Sequence, residues 1–211
     1  VNTLYHPDPE VGGDISDSRL RLAFKCIPKE EPKEALKIKE MLVQEYEQWR
    51  EDVSFPVKPQ KLLYDIRRIM GPDDIVISDV GAHKMWISRH YNCYKPQTCL
   101  ISNGFASMGM AVPGAVAAKL VDPNRRVLAI AGDGGFLMNC QEMETAVRLG
   151  VSIVVLIVND GSYGLIKWKQ EDRFGFHCDV DFGNPDFAAM AESMGVKVFR
   201  LNRTEDLITT L

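Results

Sequence analysis

The chain has 211 residues, 45% of them hydrophobic and 26% charged, with a net charge of −4; this is the profile of an ordinary globular protein with room for one large domain, or one domain and part of another. The acidic balance gives no electrostatic basis for nucleic acid or an anionic membrane surface as a partner, and the longest apolar run, Ile153 to Val158, is far too short to cross a bilayer. Five cysteines, Cys26, Cys93, Cys99, Cys140 and Cys178, show no CxxC spacing, which argues against a disulfide framework or a zinc site and for a reducing, cytoplasmic setting.

In chain order, residues 1 to about 55 differ from the rest. Asp14 is placed to cap a helix through Phe24, and Lys33 to Arg50 reads as a highly charged helix with Leu36, Met41, Leu42 and Tyr46 on one side, a solvated helix or linker. From Pro59 the pattern becomes α/β. Gln60 to Met70 reads as a helix closed by Gly71-Pro72, Ile75 to Ser78 as a strand, Asp79 to His83 as the turn after it, and Lys84 to Tyr91 as a helix. Leu100-Ile101 is a short strand, and Ser102-Asn103-Gly104 leads into a Gly/Ala-rich helix, Phe105 to Leu120. Strands follow at Val127 to Ala131 and Ile153 to Val158, with a helix over Phe136 to Leu149 between them. A helix over Phe187 to Met194, a strand over Val196 to Phe199 and a helix from Thr204 complete the pattern. Strands alternating with helices predict an α/β fold, a mostly parallel sheet with helices on both faces. The chain does not open on methionine or on a basic-then-apolar leader, and it stops inside the last predicted helix; a piece of a longer protein is expected.

The most informative stretch is Gly132-Asp133-Gly134-Gly135 at the end of one strand and Asn159-Asp160-Gly161 at the end of the next, with the aspartates 27 residues apart. In a parallel strand–helix–strand unit both carboxylates lie on the sheet edge where such folds bind ligands. Glycines leave backbone N–H groups able to approach a phosphate at a helix start. Carboxylates would repel that phosphate unless a hard divalent cation sits between them. The spacing therefore predicts a metal–diphosphate site. A nicotinamide-type dinucleotide loop is the competing reading and fits less well, since Leu137 stands where its third glycine belongs.

With these motifs the chain resembles the thiamine diphosphate-dependent enzymes from about Lys58 to Leu211. The resemblance is nearest the acetolactate synthase group, through Ile101-Ser102-Asn103-Gly104, Met108-Gly109, Gly132 to Leu137, Gln141-Glu142-x-Glu144-Thr145-Ala146 and Asn159-Asp160-Gly161. It implies that residues 1–30 are the end of the family's central domain, 31–57 a charged linker, and 58–211 the diphosphate domain, truncated at its carboxyl end. It implies Asp133, Asp160 and the backbone carbonyl of Ser162 as ligands of a magnesium ion, Gly134 and Gly135 as N–H donors to the diphosphate, and Tyr163, Gly164 and Leu165 closing over it. Gly81, Ala82 and His83 approach the same diphosphate from the other side, with His83 as side-chain donor. Met108 becomes an apolar wedge that bends the cofactor into a V, pressing its 4′-amino group against C2 as an intramolecular base, and Ala106 offers its carbonyl to that amino group.

The activity implied is decarboxylation of pyruvate and condensation with a second 2-keto acid to 2-acetolactate, with another decarboxylase, oxidase or carboligase on the same scaffold, or a non-catalytic cofactor-binding module, as alternatives. Counting from Asp160, Lys169 takes the family's substrate-discriminating position and Trp168 falls one residue away. Val180-Asp181-Phe182-Gly183 is closer to the catabolic type, so FAD is not expected. The family's activating glutamate lies on the amino-terminal domain of a partner subunit, and no glutamate here can be assigned to it. The resemblance thus implies a homodimer or homotetramer with shared sites and no catalytic residue complete within this chain.

Overall fold

The computed structural model describes residues 33–211, so the helix expected from Asp14 and the central-domain segment 1–30 lie outside the described residues. Residues 42–211 form one compact unit. Among the described residues no helix is long and apolar enough to cross a membrane.

Helix α1 (Lys33–Glu47) is followed by α2 (Pro59–Ile69), β1 (Ile75–Ser78), α3 (Ala82–His90), β2 (Cys99–Ile101), α4 (Ala111–Val121), β3 (Val127–Gly132), α5 (Asp133–Met138), α6 (Glu142–Arg148), β4 (Val154–Val158), α7 (Gly164–Phe174) and α8 (Phe187–Ser193). A 3-10 turn, Thr204–Asp206, leads into α9 (Leu207–Thr210). Among the described residues the four strands are all parallel, in the order β2-β1-β3-β4, with Ile77 beside Ala129 and Ala129 beside Val155.

Both faces of the two central strands are buried, which is why β1 and most of β3 read as continuous apolar runs without alternation. Ile75, Ile77, Val127, Ala129 and Ala131 point to one face, where Ala111, Val112 and Ala115 of α4 and Phe136 of α5 cover them. Val76, Leu128 and Ile130 point to the other, against Leu63 and Ile66 of α2 and Ile87 of α3. Each such large aliphatic side chain contributes about 1.5–3 kcal/mol by leaving water. Phe136 also meets the edge of Phe187 at 5.5 Å and 83°, which fastens α8 to α5.

The strand order locates the site. From β1 the chain crosses to β2 on one side, then returns to β3 on the other. The connections therefore part between the carboxyl ends of β1 and β3, the switch point where open α/β sheets form a crevice.

Four sequence expectations change. The Gly/Ala-rich helix begins at Ala111 and not at Phe105: Gly104, Ala106 and Gly109 have φ of 79°, 50° and 84°, left-handed values that no helix contains. The expected helix Phe136 to Leu149 is two helices broken at Asn139, and the first of them opens earlier, at Asp133, so that its first turn includes Gly134 and Gly135. Among the described residues the expected strand at Val196 to Phe199 has no ladder: Val196 and Val198 pack on the core, as do Met190 and Met194, but no described strand bonds them. The helix expected from Thr204 opens as a 3-10 turn and becomes α-helical only at Leu207.

Candidate functional site

A cavity of about 490 Å³ opens at the carboxyl ends of β1, β3 and β4. Every residue expected at a cofactor lines it: Gly81, Ala82 and His83 from the turn after β1; Ala106 and Met108 from the loop before α4; Asp133, Gly134 and Gly135 from the start of α5; and Asp160, Ser162, Tyr163, Gly164 and Leu165 after β4. Trp168 lines it too, whereas Lys169 is exposed and does not. The reason is helical phase. Trp168 stands three and four positions after Leu165 and Gly164 on α7, hence on their face, and Lys169 is turned away.

Asp133 is 1% exposed and sits at the first position of α5. Its Oδ1 accepts the Gly134 N–H at 2.8 Å, and its Oδ2 accepts the Gly161 N–H and the Asn184 side-chain amide, both at 2.7 Å. The Gly134 N–H, expected to face a phosphate, is thus engaged by the carboxylate beside it. Asp160 accepts the Ser162 N–H at 3.3 Å. Its pKa is raised, first by burial and next by the charge of Asp133. Two carboxylates, Asp133 buried and Asp160 exposed, therefore line one cavity and repel each other. The loop carrying Ser162 is strapped by residues 180–182: Tyr163 N–H donates to Val180, Phe182 N–H to Gly161, and Ser162 bridges Asp181.

His83 lies between the two strand ends. A side chain at Gly81 would come within 2.9 Å of its ring, and one at Gly132 within 3.3 Å, so glycine at both positions leaves the space the imidazole occupies. Burial pushes its pKa down, opposed by the charges of Asp79 and Asp133, and Nε2 is buried without a partner.

Two residues shape the site that the motifs did not single out. Asp79, 1% exposed, follows β1 and accepts the Gly109 N–H; its place at a strand end on the binding edge is the same signal that marks Asp133. Asn184 donates to Asp133 and also to Asn159 Oδ1 at 2.9 Å. Its sequence context, Gly183-Asn184-Pro185, signals only a turn.

Residues 79–211 match the model of the thiamine pyrophosphate enzyme, C-terminal TPP binding domain. The chain belongs to the thiamine pyrophosphate enzymes. Among its relatives, an acetolactate synthase of Bacillus subtilis (strain 168) is 34% identical across 100% of this chain, which covers 38% of that protein. A catabolic acetolactate synthase of Raoultella terrigena is 34% identical over 74% of the chain and 28% of its own length, and a probable acetolactate synthase large subunit of Methanococcus aeolicus is 33% identical over 72% and 26%. The chain thus spans well under half the length of these relatives. The all-parallel sheet with helices around it is the architecture of this thiamine pyrophosphate-binding domain.

The residues of the cavity suit an anionic, metal-bridged cofactor tail. The Asp133 charge that adds to the rise in the Asp160 pKa would be offset by a nearby cation, and the orphaned His83 Nε2 offers a polar partner inside the cavity. Among the described residues no cluster of three or more His, Cys, Asp or Glu side chains is arranged to hold a metal. Asp133 and Asp160 would offer carboxylate oxygens to a magnesium-like ion here.

Proposed function

We propose that the chain holds the diphosphate end of thiamine diphosphate through a magnesium ion, as the metal-binding half of the active site of an acetolactate synthase-like enzyme. The observation that carries the first part is the facing pair Asp133 and Asp160, brought by two adjacent parallel strands to the floor of one cavity, with the Asp160 carboxyl held above its ordinary pKa. Side chains Asp133 and Asp160 and the Ser162 carbonyl would hold the cation, and His83 would meet the diphosphate. When bound, the cofactor supplies the nucleophilic carbon and the electron sink that decarboxylation of a 2-keto acid requires.

The chain's own share is positioning. Gly161 and Asn184 fix the Asp133 carboxylate by hydrogen bonds, so it is oriented before any cation arrives. Met108 and Ile130 present apolar surface below the site, and Trp168 stands in its wall, where it would meet the acceptor keto acid and set its size. No glutamate among the described residues lines the cavity. The activating carboxylate would then come from another subunit, and this stretch alone would not turn over.

The acetolactate synthase assignment is supported by the names of the relatives. It is tested by incubating the intact protein with pyruvate, thiamine diphosphate and magnesium: 2-acetolactate is the expected product. Acetaldehyde or acetyl phosphate without acetolactate would replace it with a decarboxylase or oxidase reading.

A further inference from the structure

We infer that Asp79 and Asn139 act as positioning residues for Met108, gripping the backbone of Gly109 through its N–H and its carbonyl and so fixing how far the methionine reaches into the cavity. The inference rests on the reading of Met108 as the wedge under the bound cofactor.

The Gly109 N–H points at both carboxylate oxygens of Asp79, at 2.9 and 3.0 Å, and the Gly109 carbonyl accepts the Asn139 side-chain amide at 2.9 Å. Both backbone polar groups of Gly109, its N–H in the peptide from Met108 and its carbonyl in the peptide to Met110, are thus taken by side chains 30 residues away on opposite sides. Asp79 stands at the end of β1. Asn139 closes α5, the helix that Asp133 opens. The wedge loop is therefore tied to the end of β1 and to the far end of the helix that follows β3.

The loop needs such ties. Ala106 holds φ of 50° without being glycine, a conformation its own backbone disfavours and that surrounding contacts must impose. Gly109 itself has φ of 84°, and a Cβ there would lie 2.6 Å from Asn139 Nδ2 and 2.9 Å from Met138 Cβ. Only a residue without a side chain fits between the grips. Asp79 also reaches the diphosphate turn: a Cβ on Gly135 would lie 2.9 Å from its Oδ2. One carboxylate thus lies beside Gly135 in the turn meant for the cofactor's tail and holds the N–H of the peptide that follows the wedge.

The test uses the intact protein with two readouts. Affinity for thiamine diphosphate with magnesium is followed by intrinsic fluorescence, since Trp86 and Trp168 both line the cavity, and exchange of the cofactor's C2 proton in D2O is followed by NMR. Asn139→Ala is expected to weaken affinity about fivefold, the worth of one hydrogen bond, and to slow exchange. In a Met108→Ala background the same substitution is expected to change neither, because its effect runs through the methionine. Asn139→Asp loses the donor and sets a carboxylate against the Gly109 carbonyl, so it should weaken affinity at least as much as Asn139→Ala. Asp79→Leu, which removes the acceptor of the Gly109 N–H, should behave alike; if it fails to fold, the half-buried Asn139 carries the test. A Met108→Ala change that itself alters neither readout removes the wedge reading and this inference with it. A Met108→Ala effect accompanied by an Asn139→Ala effect that is absent, or equally large in both backgrounds, overturns the inference alone.

Discussion

The Asn184 side-chain amide donates to Asp133 Oδ2 at 2.7 Å, joining residues 51 positions apart. The same amide reaches Asn159 Oδ1 at 2.9 Å, so one side chain spans the ends of β3 and β4 and sets the separation of the two motifs. Asn184→Ala is expected to weaken magnesium-dependent binding of thiamine diphosphate by the intact protein roughly tenfold, the scale of one hydrogen bond to a charged group. Asn184→Asp puts a third carboxylate against Asp133 and should bind more weakly still. Isothermal titration compares them, and equal affinity for the wild type and both variants would strip Asn184 of this role.

Asp133 anchors three donors, the Gly134 and Gly161 amides and Asn184, and it is one of two carboxylates facing the cavity. Asp133→Ala should abolish magnesium-dependent binding of thiamine diphosphate, with circular dichroism confirming a folded protein. Affinity unchanged in this variant would end the metal-bridge reading. Binding of a nicotinamide dinucleotide independent of magnesium would favour the alternative loop assignment.

The strand-end aspartates were legible because two local signals coincide there, an apolar run that stops and a glycine cluster that follows. Core strands were legible for the same reason, since both faces of β1 and β3 are covered and the runs are unbroken. The break at Asn139 was not. Apolar periodicity continues from Phe136 to Leu149, and what parts α5 from α6 includes a bond from Asn139 to Gly109, a tertiary contact. Counting from Asp160 favoured Lys169 over Trp168, because distance along the chain says nothing of helical phase until the helix start at Gly164 is known. Asn184 has no signal beyond a turn. Its work depends on a loop folding back 51 residues later.

Away from the cavity, Arg67 of α2 is the chief polar tie between the helices on one face. It is 7% exposed and donates to Tyr91 Oη at 2.7 Å, to the carbonyls of Asn92 and Gly71 at 3.1 and 2.7 Å, and to that of Met70. Its guanidinium also lies 4.8 and 5.0 Å from the rings of Tyr91 and Tyr94. Arg67→Met keeps the bulk and leaves these acceptors unpaired, a loss of about 2–4 kcal/mol and a fall in melting temperature on the order of 10 °C. Arg67→Lys keeps the charge but not the fork and should fall between. A melting temperature for Arg67→Met within a degree of the wild type would contradict this account.

Asp160 gives a prediction whose sign depends on its cation. Its pKa is raised from the ordinary 3.8 by burial and by Asp133. A carboxyl with a raised native pKa binds its proton more tightly when folded. Without a cation, its ionised form therefore penalises the native state at neutral pH, and the penalty fades as pH falls through the raised native pKa toward 3.8. Asp160→Asn removes the charge and keeps an acceptor for the Ser162 N–H. At pH 7 in chelator the variant should melt above the wild type, and the gap should close on acidification toward pH 4. Magnesium with thiamine diphosphate should reverse the order, because a bound cation turns the wild-type repulsion into coordination that asparagine supplies only weakly. Thermal unfolding with and without the two ligands, across that pH range, gives all four arms. A variant that melts at or below the wild type in chelator at pH 7 would show that the two carboxylates do not strain the folded state.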